Sequence, residues 1–591
     1  MKLEAGVKDE VIIVDKRLGD VIIEAMNAEN IKYFYGYIGG AGGPMIYDPL
    51  YDHPEITSVQ VRHESSGPFM AAATTRLTGN PAVCHGTTGP GLINLLPGMA
   101  EAYAACAPVL AIVPSTDRRV EDRRVSHEIN SVPIFAPITK WSVRLDVPEK
   151  LPWLLQRACS IACNGRPGPV YIEIPSDLLA PRGYPEYIPS IRPIRVRAEP
   201  SQISQAAETI LKSERPIMVC GGGAISSGAY IEVKELAELL GIPVFTSPTG
   251  RGIIAEDHLL AAGQIGIYRD EKLASKWFEE SDLVISIGCR WESLESGRWL
   301  WFPPKAKLIQ IDIDYDEIGR NWWPNVAVVG DAKMVLRDVI DVLIQKVKKK
   351  RLEDMPRVKE LVESKKAREA EIDAELSRKT NVTSLAVVRE LNRVFGKDTI
   401  LSCGNEALDL ASYIFPYYKV LNAEPTVGIW DSLNIMGGDL CAAVAAKIVK
   451  PEKKVVCTTG DGAFQMYMHE LVTSVQYNAP ITVVIMNNRC IGWSKYSQVK
   501  AFGRVKDADF KATYDFVKFA EATKCYGERI EKTSQLKGAM ENALKANKEG
   551  KTAVLDVVFP ETWMDDQFEA FVKWNALKGW GIVERARLPK S

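Results

Sequence analysis

The residues best suited to chemistry are Asp461 and Asn488, in the C-terminal third of the chain. Asp461 lies in a Gly-Asp-Gly turn after the apolar run 455–457, and Asn488 ends an Asn-Asn pair after a second apolar run, 481–486. The segment between them, 463–477, has a helical pattern, so the unit is strand, turn, helix and strand. Because ligands of open α/β sheets bind beyond the carboxyl ends of the strands, we expect both side chains to lie together there.

The ligand that these residues suit is a metal-bound diphosphate. Carboxylate and amide oxygens suit Mg²⁺, which takes about six oxygens and usually shares some with a phosphate. Gly460 and Gly462 let the backbone approach a ligand closely, and the amides of Gly462 and Ala463 at the helix start would receive the phosphate. The alternative is a tight turn in which Asp461 only caps a helix.

The elements that must position these residues form three α/β blocks. Apolar runs alternate with helical patterns in each block, which is typical of parallel, doubly wound sheets. We therefore predict the class α/β with three doubly wound parallel-sheet domains. The predicted segments are an N-terminal domain 11–185, a central domain 200–345, a charged linker 346–380, a C-terminal domain 381–560 and a tail 561–591. The mixed charges of the linker predict a solvated helix, and the tail carries Trp563, Trp574 and Trp580.

The composition is that of a globular protein and argues against several classes. The chain has 591 residues, of which 46% are hydrophobic and 25% charged, with a formal net charge of −2. This balance gives no reason to expect nucleic acid or a membrane surface as a partner, and we find no apolar run of about 18 residues. The first residues lack a signal-peptide pattern. Eleven scattered Cys without a CxxC pair favour reduced thiols, so we expect a cytoplasmic protein.

The spacing of the polar motifs resembles that of thiamine-diphosphate (ThDP) enzymes. Asp461 and Asn488 are separated by 27 positions, as 488 − 461 gives. The resemblance implies that Mg²⁺ is bound by Asp461, Asn488 and the carbonyl of Cys490. Further segments along almost the whole chain resemble acetolactate synthase; these are GYIGGAGGP, PLYDHPEITSVQVRHE, TTGPGLINLLPGMAEAY, RPGPVYIEIPSDL and KLIQIDID.

The same resemblance implies roles for residues that would otherwise be unremarkable. Glu64, typical by itself of a solvated loop, would hydrogen-bond N1′ of the aminopyrimidine ring and so control its tautomer. Met436, otherwise a plain core residue, would hold the cofactor bent, and Asn405 would lie near the diphosphate. The implied cofactor-binding residues are Gly39, Glu64, Asn405, Met436, Gly460, Asp461, Gly462, Ala463, Asn488 and Gly492. The N-terminal domain would bind the pyrimidine and the C-terminal domain the diphosphate.

The resemblance also implies an oligomer. In this family the acid at the position of Glu64 serves the cofactor held by Asp461 of a second subunit, so we expect a homodimer or homotetramer. His85 and His127 would be polar groups near the reacting atoms; the alternative is that both are hydrogen-bonded loop histidines.

The substrate side departs from acetolactate synthase. After Asn488 the chain continues Arg489, Cys490, Ile491, Gly492, Trp493, Ser494, Lys495, with Ser497 where the synthases carry Trp, and Ser126-His127-Glu128 replaces their Phe-Gln-Glu. The pattern is similar to sulfoacetaldehyde acetyltransferase. Arg489 and Lys495 would suit an anionic substrate, unless they are surface charges.

The central block resembles a domain that binds FAD in acetolactate synthase and an adenine nucleotide in some relatives. Gly221-Gly222-Gly223 follows an apolar run, but a glycine cluster by itself is weak support for a dinucleotide. Arg290, Asp312 and Asp331 match the nucleotide side of the family, whereas Trp291-Glu292-Ser293 replaces its Phe-Asp-Asp. FAD is therefore one possible cofactor besides ThDP and Mg²⁺.

Three functions follow from these observations. The leading hypothesis is an acetolactate synthase-like enzyme that decarboxylates a 2-oxo acid and joins the product to a second carbonyl compound. The second is a ThDP enzyme similar to sulfoacetaldehyde acetyltransferase or to 2-hydroxyacyl-CoA lyase. The third is a non-catalytic binding subunit, against which the intact Glu64, Asp461 and Asn488 argue.

Overall fold

Nearly all strands belong to three parallel sheets of six strands each. The computed structural model describes residues 13–40, 42–348, 350–428, 433–560 and 563–564. The chain divides into two units, Met1–Ile194 and Arg195–Ser591. The first contains one of these sheets and the second contains two, so the predicted α/β class with three doubly wound sheets is confirmed.

The first unit is built on a sheet covered by helices. Its strands are β1 Ile13–Lys16, β2 Tyr33–Gly36, β3 Thr57–Gln60, β4 Ala82–His85, β5 Val109–Ser115, β6 Trp141–Arg144, β7 Val170–Pro175 and β8 Arg182–Pro185. Its helices are α1 Leu18–Ala28, α2 Gly43–Tyr47, α3 Ser66–Thr78, α4 Pro90–Asn94, α5 Leu96–Ala104, α6 Val132–Phe135 and α7 Leu151–Cys163. Short 3₁₀ turns cover Asp48–Tyr51, Arg118–Val120, Ala136–Ile138, Pro148–Lys150 and Ser176–Leu178. The sheet order is β3-β2-β4-β5-β7-β6, and β1 pairs antiparallel with β8. Strands β4, β5 and β7 are wholly buried, as expected for a parallel sheet covered on both faces.

The second unit begins with the central sheet. Its strands are β9 Pro216–Cys220, β10 Val244–Thr246, β11 Ala261–Gln264, β12 Leu283–Ile287, β13 Lys307–Asp312 and β14 Val326–Val329. Its helices are α8 Pro200–Leu211, α9 Gly222–Ser227, α10 Tyr230–Leu240, α11 Glu271–Glu279, α12 Ala332–Leu343 and the long α13 Pro356–Ser377. Its 3₁₀ turns are Pro248–Gly250, Gly266–Tyr268, Tyr315–Glu317 and Leu352–Asp354. The order β11-β10-β9-β12-β13-β14 is the dinucleotide-fold order 3-2-1-4-5-6.

The C-terminal sheet repeats the strand order of the first unit. Its strands are β15 Thr399–Cys403, β16 Val427–Gly428, β17 Lys454–Gly460, β18 Thr482–Asn487, β19 Tyr526–Ile530 and β20 Ala553–Val558. Its helices are α14 Ser384–Phe395, α15 Gly438–Val449, α16 Asp461–Tyr467, α17 Leu471–Gln476, α18 Gly492–Phe502, α19 Phe516–Ala522 and α20 Leu536–Lys548, with 3₁₀ turns at Asp409–Tyr413, Met468–Glu470 and Thr533–Gln535. The order β16-β15-β17-β18-β20-β19 is 2-1-3-4-6-5, as in the first sheet. The predicted helix 463–477 is thus two helices joined by a 3₁₀ turn.

The charged segment 346–380 is not simply solvated. Its helix, α13, buries Val358, Leu361, Lys365, Arg368 and Ile372 on one face. The Lys365 Nζ donates to the carbonyls of His258, Leu259 and Ala261 at 2.8, 2.9 and 3.1 Å. Arg368 pairs with buried Asp270 at 3.0 Å. The prediction of a helix is confirmed, but the prediction of a solvated one is wrong for this face, because two cations have partners within the unit.

Only the first tryptophan of the predicted tail lies among the described residues. Trp563 is buried in the core of the C-terminal sheet and contacts the space beside Gly492. Trp574 and Trp580 lie outside the described residues. In the part of the chain that the structure describes, no helix is both long and apolar enough to span a bilayer.

Candidate functional site

Asp461 is a buried carboxyl group at the switch point of the C-terminal sheet. The crevice of an open sheet lies where the strand order reverses, here between β15 and β17. Asp461 follows β17 and is 0% exposed, and neither carboxyl oxygen has a hydrogen-bond partner in the described chain. Burial raises the pKa of Asp461 to about 7, and the nearby backbone amides of Arg489 and Asn488, which do not form hydrogen bonds of normal geometry with it, only reduce this rise. A buried carboxyl without partners points to a ligand that brings positive charge.

Asn488 follows the neighbouring strand, as the sequence predicts. Strands β17 and β18 are paired with Gly460 opposite Met486, so both candidate ligands leave the same edge of the sheet. The Asn488 Oδ1 accepts a hydrogen bond from the Cys490 amide at 3.2 Å. A Cβ added at Gly492 would lie 2.9 Å from the Asn488 Nδ2, so a larger residue there would displace the amide side chain.

The donor set around Asp461 suits a small, hard cation. Among the described residues, no group of three or more His, Cys, Asp or Glu side chains is placed to hold a metal ion. A metal at Asp461 would therefore take its other oxygens from an amide side chain, a backbone carbonyl and the ligand itself. Mg²⁺ is commonly bound in this way, through one or two carboxylates and substrate phosphates. The unpartnered Asp461 oxygens and the adjacent Asn488 fit such an ion.

Glu406 is a residue of this edge that the sequence analysis did not single out. It lies in the turn after β15, is 8% exposed, and its Oε1 accepts the backbone N–H of Ala463 at 2.6 Å. The same oxygen is 2.7 Å from the position that a Cβ of Gly462 would take. Burial, followed by the charge of Asp461, raises the pKa of Glu406 to about 8. The two residues joined by this hydrogen bond are 57 positions apart, so no local pattern indicates the contact.

Asn405 and Met436 lie beside the same turn. The Asn405 Nδ2 donates to the carbonyl of Asn434 at 2.7 Å, and its Oδ1 is buried without a partner. Met436 is half-buried, and a Cβ on the following Gly437 would lie 2.9 Å from the carbonyl of Ala463. The segment that carries Met436 is therefore held against the start of α16.

Two further buried acids lie behind Gly404. A Cβ added at Gly404 would contact an oxygen of Asp409 and would lie 2.9 Å from an oxygen of Asp439. Both residues are fully buried, and neither oxygen of Asp409 has a partner in the described chain. Burial is the main cause that raises the pKa of Asp439 to about 6 and that of Asp409 well above its usual range. With Glu406 and Asp461, this edge carries four buried acids.

Glu64 lies at the corresponding edge of the first sheet. It follows β3, is half-buried, and its Oε2 accepts a hydrogen bond from the Asn94 Nδ2 at 3.0 Å. A Cβ on Gly91 would lie 3.1 Å from the Glu64 Oε1 and would meet Thr87, and a Cβ on Gly39 would also collide with Thr87. The structure thus places Gly39, Thr87, Gly91 and Glu64 in one contiguous surface at the switch point between β2 and β4.

His85 is a neutral, fully buried imidazole. It ends β4, is 0% exposed, and its Nδ1 lies 2.8 Å from the carbonyl of Ile112. A carbonyl only accepts, so Nδ1 carries the hydrogen and Nε2 is left as an acceptor. Nε2 has no partner in the described chain, and burial lowers the pKa of His85 to about 4. His85 thus ends a strand instead of lying in a loop, and its Nδ1 is hydrogen-bonded as the alternative interpretation expects.

His127 differs from His85 in being exposed. Its backbone has a left-handed φ of 70°, and a Cβ on Gly89 would lie 2.6 Å from its carbonyl oxygen. Its loop is fixed by Glu128, which accepts the backbone N–H groups of Asp122 and Val125 at 2.7 and 3.2 Å. The structure brings the His127 backbone to the turn at Gly89 and leaves the imidazole accessible.

The two residues that would suit an anionic substrate, Lys495 and Arg489, differ in their contacts. Lys495 pairs with Asp509 at 2.7 Å, and Gln498 both donates to the carbonyl and accepts from the amide of Lys506. These contacts hold the segment after α18, so Lys495 has a structural partner. Arg489 is exposed, with a left-handed φ of 55°.

The space beside the glycine cluster of the central sheet is occupied by the chain's own backbone. Gly221 N–H donates to Ile287 O at 2.9 Å, and Gly223 N–H donates to Gly288 O at 3.0 Å. A Cβ on Gly223 would lie 2.8 Å from the Gly288 Cα. The glycines therefore serve a close approach between the turns after β9 and β12, at the switch point of this sheet.

The charged residues assigned to a nucleotide are also engaged within the unit. Arg290 pairs with Glu292 at 2.8 Å, and Asp312 accepts the amide of Asp314 at 2.9 Å. Asp331 caps α12 and pairs with Arg195 at 2.9 Å. At the glycine turn the amides of Gly221 and Gly223 are likewise used within the chain, so these two donors do not fit a dinucleotide phosphate there.

Three models of one protein family match the chain, one for each sheet. The thiamine pyrophosphate enzyme N-terminal TPP binding domain matches residues 16–134, the central domain matches 203–339, and the C-terminal TPP binding domain matches 409–557. Glu64 and Asp461 lie inside these matches, whereas Asn405 and Glu406 lie outside them.

Similar proteins match over almost the full chain. The probable acetolactate synthase large subunit of Methanocaldococcus jannaschii is 35% identical over 552 residues, which cover 91% of each chain. Acetolactate synthase isozyme 3 large subunit of Escherichia coli is 30% identical over 548 residues, which cover 91% of this chain and 94% of the relative. The similarity therefore includes all three sheets and both candidate edges.

Proposed function

The chain belongs to the thiamine pyrophosphate enzyme family, and we propose that it is an acetolactate synthase-like carboligase. It would decarboxylate a 2-oxo acid and join the product to a second carbonyl compound. When bound, ThDP would supply a carbon nucleophile and an electron sink for this chemistry. The observation that carries the proposal is the buried Asp461 carboxyl, which has no partner and lies beside a glycine turn.

The C-terminal edge would hold the diphosphate and its metal. Asp461, Asn488 and the carbonyl of Cys490 would bind Mg²⁺, and the amides of Gly462 and Ala463 would receive the diphosphate. Asn405, Gly460 and Gly492 would line the same cradle, and Met436 would support the cofactor between its rings. These roles rest on the resemblance and agree with the contacts around the turn.

The edge of the first sheet would hold the aminopyrimidine. Gly39 and Glu64 would contact the ring, and the Asn94 hydrogen bond would orient the Glu64 carboxyl. His85 would accept a hydrogen bond at Nε2, since Nδ1 donates to Ile112. His127, whose side chain is exposed, would reach substrate rather than cofactor.

We further propose a homodimer or homotetramer in which Glu64 and Asp461 of one site come from different subunits. Sedimentation velocity with an activity assay across a dilution series would test this. Activity should disappear as the oligomer dissociates, and a fully active monomer would contradict the arrangement. We also propose a cytoplasmic location, which the eleven free thiols support, and activity without FAD, which the absence of flavin absorption from active protein would support.

The central experiment assays the protein with ThDP, Mg²⁺ and pyruvate for CO₂ and an acetoin-forming product. Glu64→Gln should lower the rate about 100-fold or more, because an amide cannot exchange a proton with the ring. Glu55→Gln is the matched control, since Glu55 is exposed and precedes the same strand, β3. An unchanged rate in Glu64→Gln would refute the role of this carboxyl.

A second candidate function remains for a substrate that carries an extra anionic group. Exposed Arg489 favours an activity similar to sulfoacetaldehyde acetyltransferase, although the Lys495 pair with Asp509 weakens it. Sulfoacetaldehyde and phosphate in place of pyruvate would test this, with acetyl phosphate and sulfite as the products. Turnover of pyruvate alone would favour the carboligase.

A further inference from the structure

Glu406 lies in the turn where the proposed function places a diphosphate. Its Oε1 is 2.6 Å from the Ala463 amide nitrogen, and its other oxygen touches the space beside Gly460. A methyl group at Gly460 or Gly462 would meet this carboxyl, so both glycines leave room for it. The group on the Ala463 amide is therefore the chain's own carboxyl.

One backbone amide cannot serve two anions in the same position. A diphosphate oxygen on the Ala463 N–H must displace the Glu406 carboxyl, which is almost completely buried. Asp461, which immediately follows Gly460, is a second acid, and neither of its carboxyl oxygens has a hydrogen-bond partner in the described part of the chain. Besides burial, the charges that raise the pKa of Glu406 are those of Asp461 and Asp439. A bare diphosphate would therefore meet carboxyl groups without a compensating cation.

A divalent cation changes this balance. Bound between Asp461 and the diphosphate, it would neutralise the acid that the ligand must approach and would attract the phosphate oxygens away from Glu406. Both forms of the ligand must displace the Glu406 carboxyl, but the cation offsets the charge of the diphosphate beside the displaced carboxyl, whereas a metal-free diphosphate repels that carboxyl without compensation. Glu406 therefore penalises the metal-free ligand more than the metal-bound one.

We propose that Glu406 is a specificity-determining residue that occupies the Ala463 amide until a metal-loaded diphosphate displaces it, so that the site rejects metal-free cofactor. This inference rests on the proposed function, because it assumes that the diphosphate of ThDP binds at this turn. It assigns a role to a residue that lies outside the family matches.

The test is ThDP binding by titration calorimetry with Mg²⁺ and, separately, with EDTA. The measured quantity is the dissociation constant of ThDP in EDTA divided by its dissociation constant with Mg²⁺. In Glu406→Gln and Glu406→Ala the ratio should fall at least about tenfold, mainly because metal-free ThDP binds more tightly. Glu452→Gln is the control, because this exposed glutamate precedes β17 at the opposite edge of the same sheet, and its ratio should equal that of the wild type.

Several outcomes would overturn the inference. A ratio within about twofold of the wild type in both variants would show that Glu406 does not discriminate. Loss of ThDP binding in folded variants would make Glu406 a ligand of the cofactor. A wild-type crystal structure with Mg²⁺ and ThDP is the second measurement: Glu406 should leave the Ala463 amide, and its retention there would refute displacement. Absence of binding by the wild type with Mg²⁺ would instead refute the proposed function.

Discussion

His85 should make the protein lose stability in mild acid. In the folded chain the imidazole is fully buried, donates from Nδ1 to Ile112, and has its pKa lowered to about 4 from an ordinary 6.5. In mild acid the unfolded chain therefore binds a proton at this imidazole, whereas the folded chain does not. Stability from this group is complete above pH of about 6.5 and is lost as the pH falls toward 4.

The magnitude follows from the difference between the two pKa values. The pKa of His85 is about 2.5 lower in the folded chain than in the unfolded chain. Once both states are protonated, this difference lowers the free energy of unfolding by about 3.4 kcal/mol. Between about pH 7.5 and pH 5 the same linkage removes about 2 kcal/mol from the free energy of unfolding. His85→Gln removes the titrating group and can still donate to the Ile112 carbonyl, so it should lack this contribution.

The assay is urea unfolding of the wild type and His85→Gln at both pH values. The wild type should lose about 2 kcal/mol more than the variant on acidification. His53→Gln is the control, because His53 is partly exposed in the same unit and its contact with Glu55 is of the surface type that contributes little. Equal losses in the wild type and His85→Gln would refute the conclusion that this imidazole is neutral and sealed from water.

Two further predictions concern the second unit. Asp461→Asn should leave the metal-free protein at least as stable as the wild type, because it removes a buried carboxyl without partners. It should also abolish the rise in melting temperature that Mg²⁺ and ThDP cause. Differential scanning fluorimetry measures both melting temperatures, and a retained rise would show that Asp461 does not hold the metal. Lys365→Met should lower the free energy of unfolding, measured in urea, by about 2–4 kcal/mol, since three carbonyls lose their donor. Lys366→Met, on the exposed side of α13, should lower it by less than about 0.5 kcal/mol. Similar losses in the two variants would contradict this prediction.

The parts of the fold that the sequence predicts are those with local signals. Strands β17 and β18 are wholly or almost wholly buried, so their apolar runs predict strands. The Gly-Asp-Gly and Asn-Asn motifs indicate where each strand ends. The helix between them was predicted as one element because its break at Met468–Glu470 contains no Gly or Pro. Glu470 is fully buried there and accepts a hydrogen bond from Thr473, which no periodic pattern indicates.

The parts that the sequence could not predict depend on contacts between distant residues. Glu406 acts on an amide 57 positions away, and Lys365 finds its acceptors more than 100 positions earlier in the chain. The glycines at 221–223 look the same in the sequence whether their amides face a phosphate or another turn. Only the hydrogen bonds to Ile287 and Gly288 distinguish the two. The roles of Glu64, Met436 and the metal ligands stay predictions until binding is measured.

The first and the C-terminal sheets share one topology but end their strands in different residues. Both have the order 2-1-3-4-6-5, and the third strand of each, β4 and β17, borders the switch point. In the first sheet this strand ends at His85, a neutral acceptor, and the edge is otherwise formed by small residues and one half-buried acid, Glu64. In the C-terminal sheet the same position leads to Asp461 within a group of four buried acids. An edge with neutral acceptors suits a heteroaromatic ring, whereas buried acids suit a cation that can in turn bind a phosphate. Because the topology is the same in both sheets, the difference between the two edges comes from the residues that end the strands.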